Sequence, residues 1–119
     1  MDSNHVLRRS LLGIPANEQE LIADAVGSAA DEVFFDLEDS LPPAEKETAR
    51  SGVIEATREH EWDGTILSYR INGIDTRWWH EDVIEPIEAV GDRLDNLILP
   101  KVDAPSDVKT VTTLLDSVE

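Results

Sequence analysis

The sequence predicts an α/β fold built on a parallel sheet, and three observations predict it. Four short apolar runs, at 10–16, 33–37, 65–71 and 96–102, each lead into a segment with apolar residues at helical spacing. The runs begin roughly 25 to 30 residues apart, the length of one βα unit. No Gly- or Ser-rich linker breaks the alternation, so one sheet with right-handed crossovers is expected.

The first unit pairs the strand SLLGIPA with a helix that Asn17 and Glu20 would start in the manner of a capping box. Leu21, Ile22, Ala25, Val26 and Ala29 follow as its apolar stripe. In the second, VFFDL suits a strand buried on both faces. Pro42 and Pro43 then open a helix whose Ala49, Val53, Ile54 and Ala56 face inward. The third strand, TILSYRI, is followed by the turn NGIDT, with Asp75 or Thr76 as cap, and by a helix through Val83, Ile84 and Ile87. Pro86 should kink or shorten that helix. The fourth strand, NLILPKV, precedes a helix capped by Ser106 with Val108, Val111, Leu114 and Leu115 on one stripe.

Two architectures share this pattern: a small doubly wound sheet and part of a (β/α)8 barrel. The length of 119 residues favours the first, because a whole barrel needs about 250. The last helix runs to Glu119 with no Gly or Pro terminator, which suits a fragment instead. Four units would be half a barrel, with open sheet edges.

Composition narrows the function classes. There is no cysteine, which excludes disulfides and thiolate-bound metals. The N-terminal MDSNHVLRRS has no apolar core after its arginines, and no segment is long enough to span a bilayer, so a soluble cytoplasmic protein is expected. With 26 acids against 10 bases the formal charge is -16. Self-repulsion of that size calls for screening, and the acids are spread along helix faces rather than gathered in a tail. This points to a halophilic protein, since the Debye length falls to about 3 Å at 1 M salt. An acidic mesophilic protein is the plainer alternative. Nucleic acid is excluded as a partner by the shortage of positive charge.

Strand parity sorts the polar residues. In TILSYRIN, Leu67, Tyr69 and Ile71 point one way while Ile66, Ser68, Arg70 and Asn72 point the other. The same rule groups Phe34, Asp36 and Glu38, and then Leu97, Leu99 and Lys101. Three strands thus turn from apolar to charged at their C-terminal ends, where α/β folds place their sites. Asp36, Glu38, Arg70 and Lys101 form the candidate constellation, and mixed signs suit a divalent cation held beside an arginine that grips a carboxylate. A structural ion-pair cluster is the bland alternative. His80 and the pair Trp78 and Trp79 read as packing, and His5 and His60 as surface residues. A phosphorelay receiver would share the length and the acids but needs an aspartate where Arg70 stands.

The segments RRSLLGIPAN, VFFDLEDSLPPAEKETAR, YRINGIDT and LILPKVDAPSDV resemble the HpcH/HpaI aldolase and citrate lyase beta-subunit family, closest to its malyl-CoA and β-methylmalyl-CoA lyase branch. The resemblance implies that residues 1–119 are the N-terminal half of a single lyase domain, the first four βα units of a (β/α)8 TIM barrel. It implies a homo-oligomeric, Mg2+-dependent enzyme that forms or cleaves a carbon-carbon bond between a CoA thioester and a small 2-oxo acid such as glyoxylate. A citrate or citramalyl lyase subunit is the neighbouring alternative. By motif, Arg70 is the catalytic and substrate-gripping arginine, Arg9 a further substrate contact, and Glu38 and Asp39 lie near the metal through water. The direct metal ligands would lie beyond Glu119, so the chain alone is expected to be inactive. Glu18 and Asp24 stand where relatives carry basic residues for CoA, and Gly13 where some carry an aromatic, which leaves Arg9 or Lys46 to meet the CoA.

Overall fold

The computed structural model describes residues 10–119. Strands β1 (Leu11–Pro15), β2 (Glu32–Asp36), β3 (Ile66–Arg70) and β4 (Asn96–Ile98) alternate with helices α1 (Gln19–Val26), α2 (Lys46–Glu59), α3 (Trp79–Val90) and α4 (Pro105–Val118). All strand pairs are parallel and the sheet order is β1-β2-β3-β4. Each strand is therefore added on the same side as the last, and crossovers of one hand then place every helix on one face of the sheet. A doubly wound sheet reverses direction part-way and is excluded; the receiver-like alternative goes with it. The order is consistent with a sector of a TIM-barrel-like domain.

Register divides the sheet into two faces. Ile14, Val33, Phe35, Leu67 and Tyr69 share one core cluster with Ile22 and Ala25 of α1, Ala49, Val53 and Ala56 of α2, Val83 of α3 and Val111 of α4. The opposite face carries rows of aligned residues: Gly13, Phe34, Ser68 and Asn96 in one, Pro15, Asp36, Arg70 and Ile98 in the next. That face holds polar groups, and they are paired. The Ser68 hydroxyl donates to Glu32 at 2.6 Å and accepts from the Asn96 amide at 3.3 Å.

The helix starts depart from expectation in instructive ways. Asn17 does not cap α1; its amide donates to Glu45 across the loops at 2.8 Å, and the helix begins at Gln19. The proline pair opens a single 3-10 turn, Pro43–Glu45, that leads into α2. Helix α3 starts at Trp79, beyond Asp75 and Thr76. Thr76 instead closes the NGIDT turn by donating to the Gly73 carbonyl at 2.7 Å. Pro86 neither ends nor shortens α3, which runs on to Val90. Ser106 lies inside the first turn of α4, where the Asp107 carboxylate accepts from the Asp103 and Ala104 amides.

Candidate active site

Asp36 and Arg70 are the last residues of β2 and β3 and are direct register partners. Their side chains meet as a fork. Arg70 Nε donates to Asp36 Oδ1 at 2.9 Å and Nη2 donates to Oδ2 at 2.7 Å. The carboxylate also accepts from the Glu38 amide at 2.9 Å and from the Ser40 hydroxyl at 2.8 Å. Burial alone would raise the Asp36 pKa. The Arg70 hydrogen bonds, the Glu38 amide, Ser40 and the arginine charge outweigh it and hold the carboxyl below its ordinary value. Arg70 is shifted up in turn, first by hydrogen bonding to Asp36.

Asp36 thus serves as the holder of Arg70. The arginine is also seated on the Phe34 ring, 5.3 Å from guanidinium carbon to ring centroid. Phe34 in turn occupies the space beside Gly13, where a Cβ would lie 2.7 Å from the ring's Cε1. Glycine in β1 is what leaves room for the aromatic of β2. With Nε and one Nη2 hydrogen committed to Asp36, Nη1 has no hydrogen-bond partner among the described residues.

Glu38 stands next to this fork, with Oε1 3.6 Å from Arg70 Nε and Oε2 3.0 Å from the Lys101 ammonium. Oε2 is buried, and the Lys101 ammonium is its ion-pair partner. Hydrogen bonding to Glu38 first, and then the Glu38 charge, raise the lysine's pKa. Strand parity does not put Lys101 there. Leu97 is aligned with Tyr69 on the helix-covered face, and β4 ends at Ile98. Lys101 reaches Glu38 because its backbone turns through a φ of +52°, a conformation uncommon outside glycine. Asp39 is exposed, and its charge acts on Arg70, Lys101 and Lys46.

Of the predicted residues, then, Asp36, Glu38, Arg70 and Lys101 converge at the C-terminal rim, with Asp39 beside them. Arg9 and His5 lie outside the described residues. Trp79 is buried as packing requires, whereas His80 is exposed, its ring tilted against that of Trp79 at 3.9 Å between centroids. Lys46 is not available for CoA, because its ammonium is buried among protein acceptors. Glu18 and Asp24 are exposed.

Sequence reasoning missed a second polar cluster directly beneath the rim. The Asn72 amide nitrogen and backbone N-H both donate to Asp82 Oδ2, at 2.7 and 2.9 Å. Arg50 Nε donates to the other oxygen of Asp82 at 2.8 Å. Lys46 donates to Asn72 Oδ1 at 2.6 Å. The available signal was Lys46 and Arg50 on the same helical stripe as Ala49 and Val53, a placement that buries both.

Residues 9–119 match the HpcH/HpaI aldolase/citrate lyase family. The chain belongs to that family. It is 42% identical over 105 residues to an L-malyl-CoA/beta-methylmalyl-CoA lyase of Cereibacter sphaeroides, covering 88% of this chain and 33% of that protein. It is 33% identical over 117 residues to a citrate lyase subunit beta of Leuconostoc mesenteroides subsp. cremoris, covering 98% of this chain and 38% of the relative. Among solved structures, CitE from Mycobacterium tuberculosis in complex with magnesium, acetoacetate and coenzyme A superposes with a TM-score of 0.66 at 27% identity, over 88% of this chain and 38% of that one. The chain spans about a third of the length of the curated relatives it matches. In this chain the DLED, RING and PKV segments form the rim just described.

Proposed function

We propose that the chain forms the first four βα units of a (β/α)8 barrel lyase that cleaves or forms malyl-CoA or β-methylmalyl-CoA. The observation that carries the reading is the forked Arg70, held by Asp36 at the strand ends with its Nη1 edge uncommitted, next to the Glu38 carboxylate. An arginine pre-set in this way binds a small carboxylate without having to be ordered first.

In the cleavage direction, Arg70 would hold the carboxylate of the 2-hydroxy acid end. The bond between C2 and C3 breaks as a general base takes the hydroxyl proton and the hydroxyl carbon becomes the aldehyde of glyoxylate. The electron pair of the broken bond enters the thioester as an enolate, which takes a proton from a general acid to give the acyl-CoA. Glyoxylate remains on Arg70. Glu38 and Asp39 fit Mg2+ as hard oxygen donors, with the exposed Asp39 carboxylate next to Glu38, whose Oε2 is engaged by Lys101 at 3.0 Å. The described residues bring no three metal-ligating side chains together. Glu38 and Asp39 would therefore hold the ion through its waters, with direct ligands from carboxylates outside the described residues. When bound, Mg2+ supplies stabilisation of the developing oxyanion.

The complete polypeptide carrying this chain, mixed with malyl-CoA and Mg2+ in concentrated salt, should release acetyl-CoA and glyoxylate, and chelation should stop the release. Turnover only with a carrier-protein thioester would move the protein to the citrate lyase branch. No cleavage of any 3-hydroxyacyl thioester would end the lyase reading.

A further inference from the structure

Lys46 is a costly residue in its place. It opens α2, where a cation opposes the helix dipole, and it is 93% buried, with 7% relative exposure. Burial pulls its pKa down, partly offset by the charges of Glu38, Asp82, Asp36 and Asp39. A well-packed apolar side chain in such a position is often at least as stable. What the ammonium gains is geometry. Its three donors have three acceptors: the Leu37 carbonyl at 3.2 Å, the Glu38 carbonyl at 2.6 Å and Asn72 Oδ1 at 2.6 Å.

These acceptors belong to the loop after β2 and the loop after β3, the two segments that deliver Glu38 and follow Arg70. Asn72 is itself fixed in one orientation, carbonyl toward Lys46 and amide toward Asp82, because a flipped amide would set donor against donor. Asp82 is anchored by Arg50, which also donates to the Trp78 carbonyl at 3.1 Å. The indole of Trp78 lies against the Lys46 ammonium, 5.3 Å from it to the ring centroid. The chain of contacts ties α2 and α3 to the rim loops.

We propose that Lys46 is a positioning residue: it pins the backbone of residues 37–39 to Asn72 and so sets where the Glu38 and Asp39 carboxylates stand relative to Arg70. The inference rests on the proposed function for its readout in metal binding, and on the geometry alone for its readout in loop mobility.

The test uses the complete polypeptide as wild type, Lys46→Met and Lys46→Arg. The arginine keeps a charge but cannot place three donors on the same three points. Mg2+ affinity by calorimetry should weaken by about tenfold or more in both variants, as for loss of groups that orient metal-holding residues. Amide exchange at Glu38 and Ser40, whose N-H groups are bonded to Asp36, should quicken while the core strands stay protected. Folded variants with wild-type Mg2+ affinity and unchanged exchange at those amides would overturn the proposal. Failure of both variants to fold would assign Lys46 to folding alone and overturn it as well. A wild type that binds no Mg2+ would sink the proposed function, and amide exchange would then decide the positioning claim by itself.

Discussion

Asp36 shows how one residue can set the geometry of another at the ends of two strands. It accepts from Arg70, from two backbone amides and from a hydroxyl, and a buried carboxylate so satisfied stays ionised. Because its folded pKa lies below the ordinary 3.8, its contribution to stability is complete above that value and is lost as pH falls through the folded value. Asp36→Asn should cost about 3 kcal/mol at neutral pH by leaving a guanidinium poorly paired. It should also show a shallower loss of stability below pH ~4. Urea unfolding across a pH series measures both, and equal slopes for wild type and variant would contradict the assignment. The acids and Arg70 were legible in the sequence because strand parity and the switch from apolar to charged mark the rim. Lys101 reaches the rim by a different route: its backbone turn at positive φ, and not parity, brings it to Glu38.

At the scale of elements, the apolar periodicity located the four strands and four α-helices of the described residues, while the helix starts were misplaced and the fourth strand, expected over 96–102, ends at Ile98. Asn17, Asp75, Thr76 and Ser106 all have capping chemistry, but such side chains also close turns and bridge loops, and tertiary contacts decided between these uses. The Lys46, Asn72, Asp82 and Arg50 cluster was only half legible: the stripe of α2 buries Lys46 and Arg50 but does not name their partners. Its members come from three elements, and nothing in a single segment shows that their charges will meet. Gly52 is a case where packing overrides propensity. It lies inside α2, yet a Cβ there would come within 3.0 Å of the Ala16 carbonyl carbon and closer still to its oxygen. Alanine would gain about 1 kcal/mol of helix propensity and lose about 1–3 kcal/mol to overpacking against backbone that cannot move aside. Gly52→Ala is therefore expected to lower the thermal midpoint of the complete protein, and an unchanged or raised midpoint would show that α2 and the β1–α1 turn have room to separate.

For the whole molecule, the consecutive strand order explains how one face of the sheet can be polar. The helices pack on the other face, so Glu32, Ser68, Asp36 and Arg70 project to the side without helices and pair there, the first three of them buried. The family and the strand count followed from motif order and βα spacing, whereas the choice between singly and doubly wound sheets did not, because both read identically along the chain. A formal charge of -16 acts at this scale too. If it reflects adaptation to salt, raising KCl from about 0.1 to about 2 M should raise the thermal midpoint by several degrees as self-repulsion is screened. A midpoint indifferent to KCl would leave the charge serving solubility alone.

On the proposed function, Arg70, shaped by Asp36 and flanked by Glu38, grips the carboxylate of the reacting acid. Steady-state cleavage of malyl-CoA by the complete protein, compared between wild type and Arg70→Lys, tests it most directly. Lysine keeps the charge but cannot serve Asp36 and a substrate carboxylate from one planar fork. The predicted result is a loss of about 100-fold or more in kcat/KM with the fold intact by circular dichroism. A folded variant within about threefold of wild type would contradict it.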